Sequence, residues 1–127
     1  MLLEETYTLS NDVKIPKIAL GTWMIDDDKV ANAVIEAVKL GYRHIDTAQA
    51  YGNERGVGDG IRNCGLARED IFLTTKLEAD IKNYDDAKAA IQGSLDKLAL
   101  DYIDLIIIHS PQPWAHFNTD DRFFEGN

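Results

Sequence analysis

The 127-residue sequence has a single cysteine, Cys64, so no disulfide can close within the chain. Basic residues are also scarce: 13 Lys and Arg stand against 22 Asp and Glu, leaving a formal charge of −9. That charge repels phosphate backbones and anionic membrane surfaces, so neither nucleic acid nor a membrane is an expected partner. Long apolar runs are absent, the longest being residues 105–108, whereas a membrane span needs roughly 20 residues. The opening Met1-Leu2-Leu3-Glu4-Glu5 is acidic where a secretion signal would be basic. These absences together predict a cytoplasmic protein. Two phosphate-binding signatures are missing as well. Gly21-Thr22-Trp23 follows the first apolar run where a dinucleotide-binding sheet would carry G-x-G-x-x-G, and no G-x-x-x-x-G-K-[ST] occurs anywhere. Gly56, Gly58 and Gly60 lie inside a helical segment, where their expected role is close helix packing.

What is present describes one globular domain, with 45% hydrophobic and 28% charged residues. Residues 7–16 hold two short β-favouring pieces around Ser10-Asn11-Asp12, the pattern of a hairpin. A short apolar strand over 18–21 precedes Asp26-Asp27-Asp28, whose carboxylates suit the start of a helix. Behind them Val30, Ala33, Val34, Ala37 and Val38 repeat at helical spacing until Gly41 stops the run. The unit then recurs: a strand over 42–46, a less regular helix over 53–63, a strand over 71–76. A third helix has Asp85 and Asp86 at its start and Ala87, Ala90, Ile91, Leu95 and Leu98 on its apolar face. A fourth strand covers 101–109. The expected division is a hairpin over 1–17, four strands and three helices over 18–109, and a loop over 110–127. Strands alternating with helices imply right-handed crossovers and a parallel sheet, closed as a barrel or open and doubly wound. The missing glycine fingerprint disfavours an open nucleotide-binding sheet.

In a parallel barrel the C-terminal ends of all strands open on one face, so polar residues ending successive strands meet there. Asp46 ends the second strand, Lys76 the third and His109 the fourth, while Tyr51 lies in the loop after the second. Singly each could cap a helix or reach to water. Jointly, an acid, an ammonium, a phenol and an imidazole at strand ends form a reactive set.

At these residues a family becomes visible. Residues 41–48 (GYRHIDTA), Tyr51-Gly52-Asn53-Glu54, Thr74-Thr75-Lys76 and residues 105–109 (LIIIH) resemble the aldo-keto reductases, in particular the bacterial branch containing the 2,5-diketo-D-gluconic acid reductases. The resemblance implies a (β/α)8 barrel, here with its first four strands and an N-terminal hairpin, and NADPH-dependent reduction of aldehyde, ketone and sugar carbonyls. It makes Tyr51 the proton donor to the carbonyl oxygen. A free tyrosine has a pKa of about 10, and a nearby ammonium favours the phenolate; Lys76 can supply that charge. Asp46 would orient Lys76, and His109 would donate to the substrate carbonyl. Trp23 and Trp114, with Tyr51 and His109, would wall the substrate pocket, while Gly21, Thr22 and Asp46 would adjoin the cofactor. His44 shares strand parity with Asp46 and reads as a buried structural histidine. His116, Asp120 and Asp121 do not make a persuasive metal site, so no metal is assigned.

A barrel of this kind takes about 250 residues and eight β/α units. The sequence provides half, without the phosphate-binding loops that follow strands seven and eight, and Ile106, Ile107 and Ile108 give the fourth strand an apolar edge. Truncation is the expected cause; a complementing C-terminal half or self-association would cover the edge. Two readings follow: a carbonyl reductase by descent, or an inert half-barrel serving as an assembly or regulatory fragment.

Overall fold

The computed structural model describes residues 1–111; the expected loop beyond that point, with Trp114, His116, Asp120 and Asp121, lies outside the described residues. The N-terminal hairpin forms as expected, with β1 (Thr6–Thr8) antiparallel to β2 (Lys14–Pro16) and Tyr7 opposite Ile15. Its turn suits the Asn-Asp pair: Asn11 Oδ1 accepts from the Val13 amide at 3.3 Å, and Asp12 adopts φ +65°. Short polar side chains visit that left-handed region more readily than others.

The main sheet contains β3 (Leu20–Gly21), β4 (His44–Asp46), β5 (Phe72–Leu77) and β6 (Leu105–Ile108), parallel and in sequence order. Between them run α1 (Asp27–Lys39), α2 (Glu54–Asn63) and α3 (Tyr84–Leu98). β3 and β6 are the edges. One core joins the layers: Val30, Val34 and Val38 of α1 and Val57 and Ile61 of α2 pack with Ile45, Ile71, Leu73 and Leu98.

Several local expectations need correcting. No aspartate side chain caps α1; Asp26 sits at the cap without a side-chain bond, and the Asp27 carboxylate instead accepts from the Gly56 amide of α2 at 2.8 Å. The acids at that end still oppose the positive pole of the helix dipole. The second strand starts at His44 rather than 42. Arg43, just before it, turns its guanidinium back onto the carbonyls of Val38 (3.0 Å) and Tyr42 (2.8 Å). The fourth strand begins at Leu105 rather than 101, because the Asp104 carboxylate serves elsewhere. It accepts from Arg68 and from the Leu73 amide, both at 2.8 Å.

The glycine string does what close packing requires. A Cβ on Gly56 would overlap the Asp27 carbonyl oxygen, one on Gly58 the Leu98 carbonyl, and one on Gly60 would lie 2.8 Å from the Ala31 oxygen. α2 therefore touches α1 and the end of α3 backbone to backbone. α3 is capped by Asn83, whose side chain accepts from the Asp86 amide at 2.9 Å. Of its expected apolar face only Leu98 is fully buried. Ala87, Ile91 and Leu95 instead line an open groove of about 320 Å³ together with Tyr84. Among the described residues no helix is long and apolar enough to cross a membrane.

Candidate active site

Strand register decides which side chains meet. Asp46 lies opposite Thr74 across β4 and β5, and Lys76, two residues further, shares the face of Thr74. His44 and Asp46 likewise share a face, and they end in different surroundings. His44 is 8% exposed, its ring held by the Pro16 carbonyl at 3.1 Å and Thr74 Oγ1 at 2.8 Å, with Phe72 edge-on at 4.9 Å. Burial lowers its pKa, so it is a neutral core residue at neutral pH, in agreement with the structural role expected from its parity.

One strand position beyond Thr75, Lys76 reaches the open end of the sheet. Its Nζ donates to Asp46 Oδ2 at 2.6 Å, to the Thr47 carbonyl at 2.8 Å and to Tyr51 OH at 3.3 Å. The lysine side chain is 11% and the aspartate 31% exposed. An ion pair this deep is tolerable because further acceptors satisfy the ammonium. Tyr51 comes from a single 3-10 turn, Gln49–Tyr51, closed by Gly52 in the left-handed region at φ +68°. Gln49 fastens that turn. Its Oε1 accepts from the Glu78 amide at 3.1 Å, and its Nε2 donates to the Ala90 carbonyl (3.2 Å) and Ser94 Oγ (3.0 Å) of α3.

His109 follows β6 directly, its amide donating to the Leu77 carbonyl at 2.8 Å. Its ring meets that of Tyr51 edge to face, centroids 5.7 Å apart and planes at 86°. Burial first, and the nearby Lys76 charge second, lower its pKa. The ring is thus neutral near pH 7 and keeps one N–H to donate, while Nδ1 is buried without a partner. Asp46, Tyr51, Lys76 and His109 are therefore brought together, as three strand ends and the loop after the second strand led us to expect.

The remaining candidates divide. Gly21 ends β3 with nothing within 4 Å of where a Cβ would stand, leaving open space beside the cluster. Thr22 is fully buried, and both its amide and its hydroxyl donate to the Asp46 carbonyl at 3.0 Å. It braces the aspartate's backbone. Trp23 is 70% exposed and shares an open cleft of about 370 Å³ with Met24, Ile25, Tyr51 and Gly52. Trp114 lies outside the described residues.

Sequence reasoning passed over Thr47, Gln49, Asn53 and Glu54 as site residues. Thr47, Asn53 and Glu54 are buried, and Thr75 Oγ1 donates to Glu54 at 2.8 Å. A usable signal existed: four polar side chains, Thr47, Gln49, Asn53 and Glu54, lie within eight residues of a strand end.

Comparisons with known proteins point the same way. Residues 17–125 match the profile described as the Aldo/keto reductase family. The chain is 49% identical over 105 residues to the 9,11-endoperoxide prostaglandin H2 reductase of Trypanosoma cruzi, covering 82% of this chain and 37% of that protein. It is 44% identical over 115 residues to the D/L-glyceraldehyde reductase of Hypocrea jecorina, covering 87% of this chain and 35% of that protein. The crystal structure of a Bombyx mori aldo-keto reductase in complex with NADP superposes with a TM-score of 0.76 at 43% identity, over 83% of this chain and 38% of that one. The chain thus spans a little over a third of the length of these relatives.

Proposed function

This chain belongs to the Aldo/keto reductase family, and from that premise we propose that it supplies the proton-donating part of an NADPH-dependent oxidoreductase that reduces aldehyde and ketone carbonyls to alcohols. The observation that carries the reading is Lys76 Nζ, held at 2.6 Å from Asp46 and 3.3 Å from the Tyr51 hydroxyl. Tyr51 gives its proton to the carbonyl oxygen. Lys76 stabilises the phenolate left behind, since a neighbouring ammonium favours the charged form of a phenol. Asp46 and the Thr47 carbonyl fix the lysine's aim. Neutral His109 donates a hydrogen bond to the carbonyl and orients it over Tyr51. NADPH, when bound, supplies the hydride received by the carbonyl carbon. The open space at Gly21 suits a flat ring beside Asp46, and Thr22 holds that aspartate's backbone in place.

Trp23 walls the substrate cleft, and Trp114 is assigned the same role. Sugar or keto-acid carbonyls of the 2,5-diketo-D-gluconate type are the proposed substrate class. The proposed unit is 1–127, with a hairpin over 1–17, the strands and helices over 18–109 and a loop over 110–127. A complementing C-terminal half or a second copy would cover β6, where Ile107 and Ile108 are 43% and 54% exposed. The free thiol of Cys64 suits a reducing cytoplasm. The open β6 edge and α3 groove are also what an inert assembly fragment would present, and that is the second reading.

Two measurements separate the readings. Fluorescence titration of the 127-residue chain with NADPH, with its mass recorded in the same buffer, should give micromolar binding if association completes the site; no binding favours the inert fragment. In a chain completed to the length of its relatives, Tyr51→Phe should cut carbonyl reduction on the order of 10²-fold or more while NADPH still binds. Retained turnover would remove Tyr51 as the proton donor.

A further inference from the structure

We propose that Asn53 is a specificity-determining positioning residue, which pins the turn carrying Trp23 over the Tyr51 cleft and so sets the size of carbonyl substrate admitted. The inference rests on the carbonyl-reducing role of Tyr51. Asn53 stands at the N-cap of α2, where an asparagine side chain ordinarily accepts a bond from its own helix, yet it makes no such bond. Its amide is directed elsewhere, and the residue is 1% exposed. Nδ2 donates to the carbonyls of Thr22 at 2.8 Å and Ile25 at 3.0 Å, and Oδ1 accepts from Thr47 Oγ1 at 2.8 Å. One side chain thereby ties the loop after β3 to the loop after β4.

The turn at 22–25 needs such a tie. The Ile25 amide closes it onto the Thr22 carbonyl at 3.2 Å, and Met24 takes φ +67°, a left-handed conformation in which a non-glycine Cβ crowds the following carbonyl oxygen. Surroundings must hold it there. Burial holds only its two ends, since Trp23 is 70% and Met24 82% exposed, while Thr22 is fully buried and Ile25 packs against the core. Thr22 is anchored at the inner end by its two bonds to the Asp46 carbonyl, and the outer end by Asn53 on the Ile25 carbonyl. Tyr51 and Lys76 have separate fastenings, through Gln49 and Asp46. Loss of the Asn53 donors therefore frees the Trp23 wall and leaves the proton donor in place.

The test compares Asn53→Ala and Asn53→Asp with the unmodified chain. Asn53→Asp is nearly isosteric, still accepts from Thr47, and sets a carboxylate against two carbonyl oxygens, so it reports on the turn even if Asn53→Ala does not fold. The first readout is the ¹⁵N heteronuclear NOE of the Trp23 indole and of the amides of Trp23, Met24 and Ile25. It should fall in both Asn53 variants and hold in Thr47→Val, which removes only the bond to Oδ1. Unchanged values in a folded Asn53 variant overturn the proposal. The second readout, in a chain completed to the length of its relatives, is the ratio of kcat/KM for a small aliphatic aldehyde to that for a bulky aromatic one. It should shift about tenfold toward the bulky substrate, the discrimination that a methylene or two carries, chiefly through KM. Equal loss on both substrates would reduce Asn53 to a structural residue and also overturns the proposal. Absence of reduction in the unmodified protein sinks the assigned activity instead, and the NOE result then decides whether Asn53 pins the turn.

Discussion

Helices α2 and α3 are both amphipathic and both pack on the same sheet, yet Val57 and Ile61 of α2 are 0% and 2% exposed while Ile91 and Leu95 of α3 remain half-buried. The glycines account for much of the contrast. Gly56, Gly58 and Gly60 let neighbouring backbone replace the missing side chains, closing α1, α2 and the end of α3 into one block. Gly93 of α3 has nothing within 4 Å of where a Cβ would stand, so its missing side chain serves no contact among the described residues. A glycine is therefore structural where another chain segment occupies its Cβ position, and otherwise it only weakens the helix. On the sheet the same division runs from the enclosed β4 and β5 to the exposed Ile107 and Ile108 of β6.

Substitutions can break this contrast. Gly58→Ala places a methyl on the Leu98 carbonyl and should destabilise by about 3 kcal/mol in urea unfolding, since backbone cannot yield as a side chain would. A loss under about 1 kcal/mol would mean that the helices are not in backbone contact. An intermediate effect comes from pH, acting on the closed side through His44. Its folded pKa lies below the ordinary value of about 6.5, so above that pH both states are neutral and stability is complete. As pH falls through about 6.5 the unfolded chain takes up the proton first, and stability drops until the lower folded pKa is passed. Urea midpoints at about pH 8 and about pH 5.5 should therefore differ, and His44→Gln should reduce the difference, leaving the part carried by His109, whose pKa is also lowered. The smallest effect has the opposite sign: Gly93→Ala should stabilise by about 0.5–1 kcal/mol, by helix propensity alone. Destabilisation there would show that the Cβ position of Gly93 is occupied in solution.

Much of this arrangement could be read from the sequence, because it depends on periodicities that side chains impose locally. The α1 stripe from Val30 to Val38, the hairpin turn at Asn11-Asp12 and the strand-end positions of Asp46, Lys76 and His109 are of that kind. What escaped depends on partners distant in sequence. Asp104 left the fourth strand to bind Arg68 and Leu73, Asp27 served Gly56 rather than its own helix, and Asn53 turned away from the cap its residue type favours. Each is a short polar side chain with a local option and a tertiary one, and the tertiary one prevailed because it satisfies a backbone group that would otherwise be left without a partner.

The contact between Lys76 and Tyr51 also has a direction. An ammonium carries three hydrogens, and Lys76 commits one each to Asp46, Thr47 and Tyr51. The tyrosine oxygen is thus the receiving atom on the lysine side, and its single hydrogen is free to point the other way. In the proposed reaction a proton given up by Tyr51 would therefore leave on the side away from Lys76, whose ammonium keeps its own hydrogens to hold the phenolate. The three bonds of one ammonium thus decide which side of the phenol is left open, a choice made by Asp46 and Thr47 as much as by Tyr51 itself.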